Sequence, residues 1–313
     1  MHCATIAVVD RDSRLVFALG DPEQVFFTRS SIKPLQALPL VSSEARMSLG
    51  LSDEELALCC ASHNGSDRHR EIVAGILAKC ALTKDALMCG THWPIGDRLA
   101  KKYPLHGEDQ DPLRHNCSGK HAGFLALSRH LGQPVEAYIE PQGVAQGLVR
   151  EAVASACEID AGRLEVAIDG CSAPNFSMPL VKLAAGFKNL ARGDAAFSEV
   201  RAAMYAHPWL VSGEKRLDYD IARSFSGNVV NKGGAEAILA IGFREPSLGI
   251  AIKVIDGSDR ALGPIVVEVL KQLGLIEEIG RFPELVRHEL PPVFNFRKIR
   301  TGEIVPSFQL RKL

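Results

Sequence analysis

Gln24-Val25-Phe26-Phe27-Thr28-Arg29-Ser30-Ser31-Ile32-Lys33-Pro34 reads as a strand over residues 24–28 running directly into the start of a helix. Pro34 fits a first helical turn, where a missing N–H costs nothing, and Leu35, Leu38 and Leu40 continue an apolar face. Ser30 and Lys33 then lie three residues apart on one side, close enough for the amine to take the hydroxyl proton. Taken alone, Ser-x-x-Lys reads as an N-cap serine beside a solvated lysine. Its place at a strand-to-helix junction, where nucleophiles are commonly displayed, favours the chemical reading. Lysine is a poor base at its free pKa of about 10.4, so such a site must desolvate it or set other cations nearby, and the positive end of the helix acts the same way.

Upstream, residues 4–9 and 14–28 have the alternation of a hairpin or meander turning at Asp12-Ser13. Downstream the period becomes helical, with Ile72, Val73, Ile76 and Leu77 after Ser66-Asp67, then Val144, Leu148, Val149 and Val153, and further helix around residues 178–192 and 195–206. Leu164–Ile168 is a short strand, Leu248–Ile255 a buried one, and a last long helix carries Leu262, Ile265, Val266, Val269, Leu270 and Leu273 on one face. Strands at both ends with helices between predict an α/β (α+β) fold in which one mixed or antiparallel sheet is sandwiched by helices. No repeat or Pro/Gly linker divides the chain, so residues 1–313 are expected to form a single domain.

Composition narrows the function classes. The 313 residues are 46% hydrophobic and 23% charged, and 36 Lys and Arg against 37 Asp and Glu leave a net charge of -1, without the basic patch that nucleic acid needs. The start Met1-His2-Cys3-Ala4-Thr5 has no basic segment or apolar h-region, and no apolar run approaches the roughly 20 residues of a membrane span. A cytoplasmic protein is expected, with no membrane partner. Its eight cysteines are then thiols, most of them small core residues such as Cys80 and Cys157, while Cys117 and Cys171 stand out among Gly, Ser, Asn and Asp.

Three further constellations carry polar chemistry. Ala61-Ser62-His63-Asn64-Gly65 ends an apolar helix and sets a hydroxyl and an amide in one turn, or simply stops the helix at Asn64 or Gly65. Lys253, inside the apolar strand Gly249–Ile255, must find a partner or emerge into a pocket unless it guards a sheet edge. His115-Asn116-Cys117-Ser118-Gly119-Lys120-His121-Ala122-Gly123 lacks the upstream glycine of a phosphate loop and has His121 in place of its Ser or Thr. With Asp169-Gly170-Cys171-Ser172 it offers two thiols and an amine, an unusual ligand set for zinc.

Ser-x-x-Lys, Ser-x-Asn and a late strand lysine follow the order found in serine β-lactamases, penicillin-binding proteins and related glutaminases, but Lys253 is followed by Val254-Ile255, not by Thr-Gly or Ser-Gly. Together with the long motifs around Cys117 and Asp169, the sequence closely resembles the rhizobial-type L-asparaginases of the asparaginase II family. That resemblance implies a β-lactamase-like fold, a homodimer, and hydrolysis of L-asparagine to L-aspartate and ammonia. It implies two Ser-Lys pairs, Ser30 with Lys33 and Ser62 with Lys253, and a zinc ion (Zn2+) held by Cys117, Lys120 and Cys171 with Asp169 behind it. Arg29, His63, Asn64, His121 and Asp169 are candidates for substrate contacts, each equally readable as a structural hydrogen-bonding residue. A glutaminase or broader amidase, and a zinc- or amino-acid-binding protein without catalysis, are the alternatives.

Overall fold

The computed structural model describes residues 1–99 and 110–313. Its strands are β1 (Ala4–Val9), β2 (Leu15–Leu19), β3 (Val25–Phe27), β4 (Glu165–Ile168), β5 (Pro174–Pro179), β6 (Val229–Gly234), β7 (Ile238–Phe243), β8 (Leu248–Val254), β9 (Pro292–Phe294), β10 (Arg300–Glu303) and β11 (Arg311–Lys312). Six of them form one antiparallel sheet in the order β11-β2-β1-β8-β7-β6. At its centre Ala7 of β1 lies opposite Ala18 on one side and Ala251 on the other, so strands from the first and the last quarter of the chain pair in the middle of the sheet.

Strand alternation divides the side chains between two faces. Ile6, Val8, Leu239, Ile241, Ile250 and Ile252 share one core with Val266, Val269 and Leu270 of the helix Leu262–Gln272. Each fully buried Ile, Leu or Val there contributes roughly 1.5–3 kcal/mol. The other face presents small residues, Ala7, Ala240 and Ala251, onto which the helix Leu180–Arg192 packs. Beyond that helix lie the helices Asp53–Cys59, Asp67–Lys79, Ser118–His130, Val144–Ala156 and Ala196–Ala206. The first of these starts at a capping box, Ser52 accepting from Glu55 N–H while Glu55 reaches back, and its opening Asp53, Glu54 and Glu55 favour the positive end of the helix dipole.

Several elements differ from expectation. β3 leaves the N-terminal meander and pairs instead with β5, giving a separate three-stranded sheet in the order β3-β5-β4. β5 to β7 and β9 to β11 have no counterpart in the sequence reading. Among the described residues no helix is long and apolar enough to cross a membrane, and all eight cysteines are free, seven of them buried. The consequence for function is positional. β3 delivers Ser30, the edge strand β6 flanks it, the end of Asp53–Cys59 delivers Ser62, the first turn of Ser118–His130 brings Lys120, and the β4–β5 loop brings Asp169 and Cys171.

Candidate active site

The turn that displays Ser30 is under backbone constraint. Arg29 sits at φ +50°, a left-handed conformation that disfavours an L side chain by roughly 1–2 kcal/mol. Asn175 of β5 holds it from both sides, its Oδ1 accepting from Arg29 N–H and its Nδ2 donating to Arg29 C=O, both at 3.0 Å. Of the two serines in the turn, Ser31 is buried and donates to Thr28 C=O at 2.6 Å, whereas Ser30 is half-buried. β6 passes so close that a Cβ on Gly234 would lie 3.0 Å from Ser30 N, so glycine there keeps that amide open.

Lys33 is 1% exposed, and its amine donates to Ala61 C=O at 2.8 Å, Ser62 Oγ at 2.9 Å and Cys117 Sγ at 3.1 Å. The Ser-x-x-Lys lysine is therefore bonded to the second serine of the two expected pairs. Lys253, expected beside Ser62, is committed elsewhere. It donates to the carbonyls of Glu236 at 2.7 Å and Val254 at 2.6 Å and lies over the Phe26 ring. These acceptors are supplied by its own strand and the neighbouring turn, and Ser62 Oγ is bonded by Lys33 instead.

A different lysine, which sequence reasoning missed, stands by Lys33. Lys232 of β6 is fully buried, donates to Asp218 Oδ2 at 3.0 Å, and is followed by Gly233-Gly234 on the strand that flanks Ser30. Burial, and to a lesser degree repulsion from Lys33, push its amine down to about 8 against the opposing pull of Asp218. A buried lysine followed by two small residues was the signal that could have found it.

The sulfur cluster adjoins this lysine pair. Cys117 caps the helix Ser118–His130, and Gly119 lets that helix approach until a Cβ there would lie 2.2 Å from Leu58 C=O. Cys171 comes from the β4–β5 loop and receives a hydrogen bond from Lys120 Nζ at 3.1 Å. Hydrogen bonded to Cys171 and, against burial, facing Lys33 and Lys120, the Cys117 thiol is held well below its ordinary value. Burial opposes charge on Lys120, but the sulfurs of Cys171 and Cys117 carry its amine up. His121 accepts from Tyr138 O–H at 2.7 Å on Nδ1, since that hydroxyl already accepts from Met88 N–H, and its buried Nε2 has no oxygen or nitrogen partner. Among the described residues no three His, Cys, Asp or Glu side chains gather into a metal site. Two adjacent thiols and an amine nevertheless suit a soft divalent ion, provided that the amine gives up its proton on binding.

The remaining candidates fall into two clefts and an interior. Asp169 accepts from Arg29 Nε at 2.9 Å and from Gly170 N–H at 2.8 Å. Burial raises its carboxyl, but Lys120, the Gly170 amide and Arg29 hold it below the usual range. Arg29 and Asp169 line a cleft of about 220 Å³ with Phe27, Asn175 and Glu236. Asn64 lines a separate cleft with Arg114, Trp209 and Glu214. His63 uses both ring nitrogens internally, accepting from Gly65 N–H and meeting Ser118 Oγ at 3.0 Å, and burial keeps it neutral. It ends a stack with His69 and Trp209, so the structure gives it a scaffolding place next to Ser62.

The family model for L-asparaginase II matches residues 1–306. No curated protein matches the chain in sequence. Among solved structures, the chain is similar to a β-lactamase from Mycobacterium bovis at 17% identity, over 86% of this chain and 94% of that one, with a TM-score of 0.45. An octameric penicillin-binding protein homologue from Pyrococcus abyssi follows at 12% identity, 94% and 79% coverage and a TM-score of 0.39. Simvastatin synthase from Aspergillus terreus has 11% identity, 80% and 86% coverage and a TM-score of 0.33.

Proposed function

The chain belongs to the L-asparaginase II family of asparaginase-type amidohydrolases, and on that premise we propose that it hydrolyses L-asparagine to L-aspartate and ammonia through an acyl-enzyme on Ser30. The observation that carries this reading is the buried Lys33 amine, bonded to Ser62 Oγ one turn after the half-exposed Ser30. Lys33, acting as the neutral amine, takes the Ser30 hydroxyl proton while Oγ attacks the side-chain amide carbon. The oxyanion is met by the Ser30 N–H that Gly234 leaves open. Lys33 returns the proton through Ser62 to the departing nitrogen, which leaves as ammonia. Water then loses a proton to Lys33, attacks the aspartyl ester, and Ser30 is reprotonated.

Lys232 adds a second buried amine beside Lys33, its own value pushed down to about 8 chiefly by burial, and so places positive charge near the reacting groups. Cys117, Cys171 and the deprotonated Lys120 would hold a zinc ion. When bound, it supplies a fixed positive charge that neutralises the thiolates and orients the substrate. The same reading includes a single domain over 1–313 in a cytoplasmic homodimer, for which sedimentation of the purified protein is the check. The enzymatic test is ammonia release from L-asparagine and L-glutamine by wild type, Ser30→Ala and Ser62→Ala. Release from asparagine that falls to background in Ser30→Ala supports the assignment, and release by Ser30→Ala at the wild-type rate sinks it.

A further inference from the structure

Lys253 has a task other than proton transfer. The turn joining β6 to β7 contains Glu236 at φ +63° and Ala237 at φ +52°, two successive left-handed residues of which neither is glycine. Such conformations persist only where their surroundings over-determine them, and they concentrate at binding sites. Here the Lys253 amine bonds Glu236 C=O at 2.7 Å and Val254 N–H bonds Ala237 C=O at 3.0 Å, so β8 pins the turn from beneath. From that turn the Glu236 carboxylate reaches across to Arg29 Nη1 at 2.5 Å, while Arg29 Nε holds Asp169. Glu236 is nevertheless 61% exposed at the rim of the 220 Å³ cleft that Arg29, the residue before Ser30, lines with Asp169, and the bond to Arg29 uses only one face of a carboxylate that accepts at both oxygens.

An anion and a cation set side by side at the mouth of a small cleft match a free α-amino acid, whose ammonium and carboxylate are separated by one carbon. We propose that Glu236 is a specificity-determining residue that takes the α-ammonium of the substrate while Arg29 takes its α-carboxylate, and that Lys253 is the positioning residue that fixes the Glu236 turn. This rests on the amino-acid amidase reading above and adds what selects the free amino acid over amides without an ammonium group. In the absence of substrate the two charges partner each other, which holds both in place without a bound ligand.

The test uses the full-length enzyme with L-asparagine and succinamate, which share the amide and the carboxylate but differ in the ammonium. Glu236→Gln should lower kcat/KM for asparagine relative to succinamate roughly ten- to hundredfold, carried in KM, as expected for the loss of one charge-assisted hydrogen bond. Lys253→Met should produce the same shift in that ratio, and the double variant should be no worse than Glu236→Gln, because both act through one contact. An unchanged ratio in Glu236→Gln overturns the proposal, as does a Lys253→Met enzyme that loses kcat on both amides with KM unmoved. Calorimetric titration with L-aspartate and succinate separates this from the activity itself. If the wild type hydrolyses neither amide, the asparaginase reading fails, and a Glu236→Gln protein with weakened aspartate binding still upholds the subsite. Aspartate binding that is unchanged in Glu236→Gln, or absent from the wild type, overturns it.

Discussion

Replacing Gly234 by alanine isolates the oxyanion contact. The new methyl would sit 3.0 Å from Ser30 N, 2.9 Å from Ser31 N and 2.8 Å from Ile238 Cγ2. The Ser31 amide is already engaged with Thr28 C=O, so the Ser30 N–H is the one left to receive substrate. An oxyanion must lie about 2.7–3.1 Å from its donor, and a methyl 3.0 Å from the same nitrogen crowds its approach. Loss of one such donor lowers kcat by about 10²–10³, or about 2.7–4 kcal/mol in the barrier. Gly234 does not have a positive φ, but the methyl would press on the Ser31 backbone nitrogen as well as on the Ile238 side chain, so the turn itself must shift and some stability is lost with the contact. The assay is steady-state ammonia release beside thermal unfolding, for Gly234→Ala and for Gly234→Ala combined with Ile238→Val. kcat is expected to fall in both, and the Ile238 change to recover only part of the lost Tm without restoring kcat, since the contact with the Ser31 nitrogen remains. A Gly234→Ala enzyme with kcat within threefold of wild type would refute the placement of the oxyanion at Ser30 N–H.

Cys171→Ser should remove zinc from the purified protein, read as metal stoichiometry by mass spectrometry, and retention of a full equivalent would contradict the assignment of Cys117, Lys120 and Cys171 as ligands. Lys232→Met leaves the buried Asp218 carboxylate without its ammonium partner and should lower the unfolding free energy by about 3–5 kcal/mol, whereas an unchanged denaturant midpoint would contradict the pairing. His69, buried between His63 and Trp209, is lowered by burial from 6.5 to about 4. Because its folded value lies below its unfolded one, the unfolded chain takes the proton first. The stability linked to His69 is complete above about pH 6.5 and is lost as pH falls toward 4, by about 3 kcal/mol at most. Denaturant unfolding at pH 7 and at pH 4.5 checks this, and equal midpoints would contradict it.

What the sequence made legible was local. Ser30 and Lys33 share a turn, so their spacing alone brings them together, and Ser66-Asp67 marks a helix start because a cap acts within one turn. The β6–β7 hairpin was hidden by its own strain. Its turn, Ala235-Glu236-Ala237, achieves left-handed backbone without the Asn-Gly or Asp-Gly that ordinarily signals a hairpin, so Val229–Gly234, and Lys232 within it, carry no local hairpin signal. β5 is bounded by Pro174 and Pro179, residues that read as loop, which concealed Asn175 and its grip on Arg29. The departure of β3 from the meander depends on pairing with residues about 150 positions later, which no local pattern encodes. For His63 the sequence leaves a substrate contact and a structural hydrogen-bonding role equally open, and only the folded chain shows both ring nitrogens bonded inside the protein, to Gly65 N–H and Ser118 Oγ.

The central claim is that Ser30, served by Lys33, carries the acyl group. It is tested most directly by quenching wild type, Ser30→Ala and Ser62→Ala with acid during turnover of L-asparagine and mapping the aspartyl ester by peptide mass spectrometry. An ester is expected on the peptide containing Ser30 in the wild type and in Ser62→Ala, and none in Ser30→Ala. An ester on Ser62, or undiminished turnover by Ser30→Ala, would contradict it.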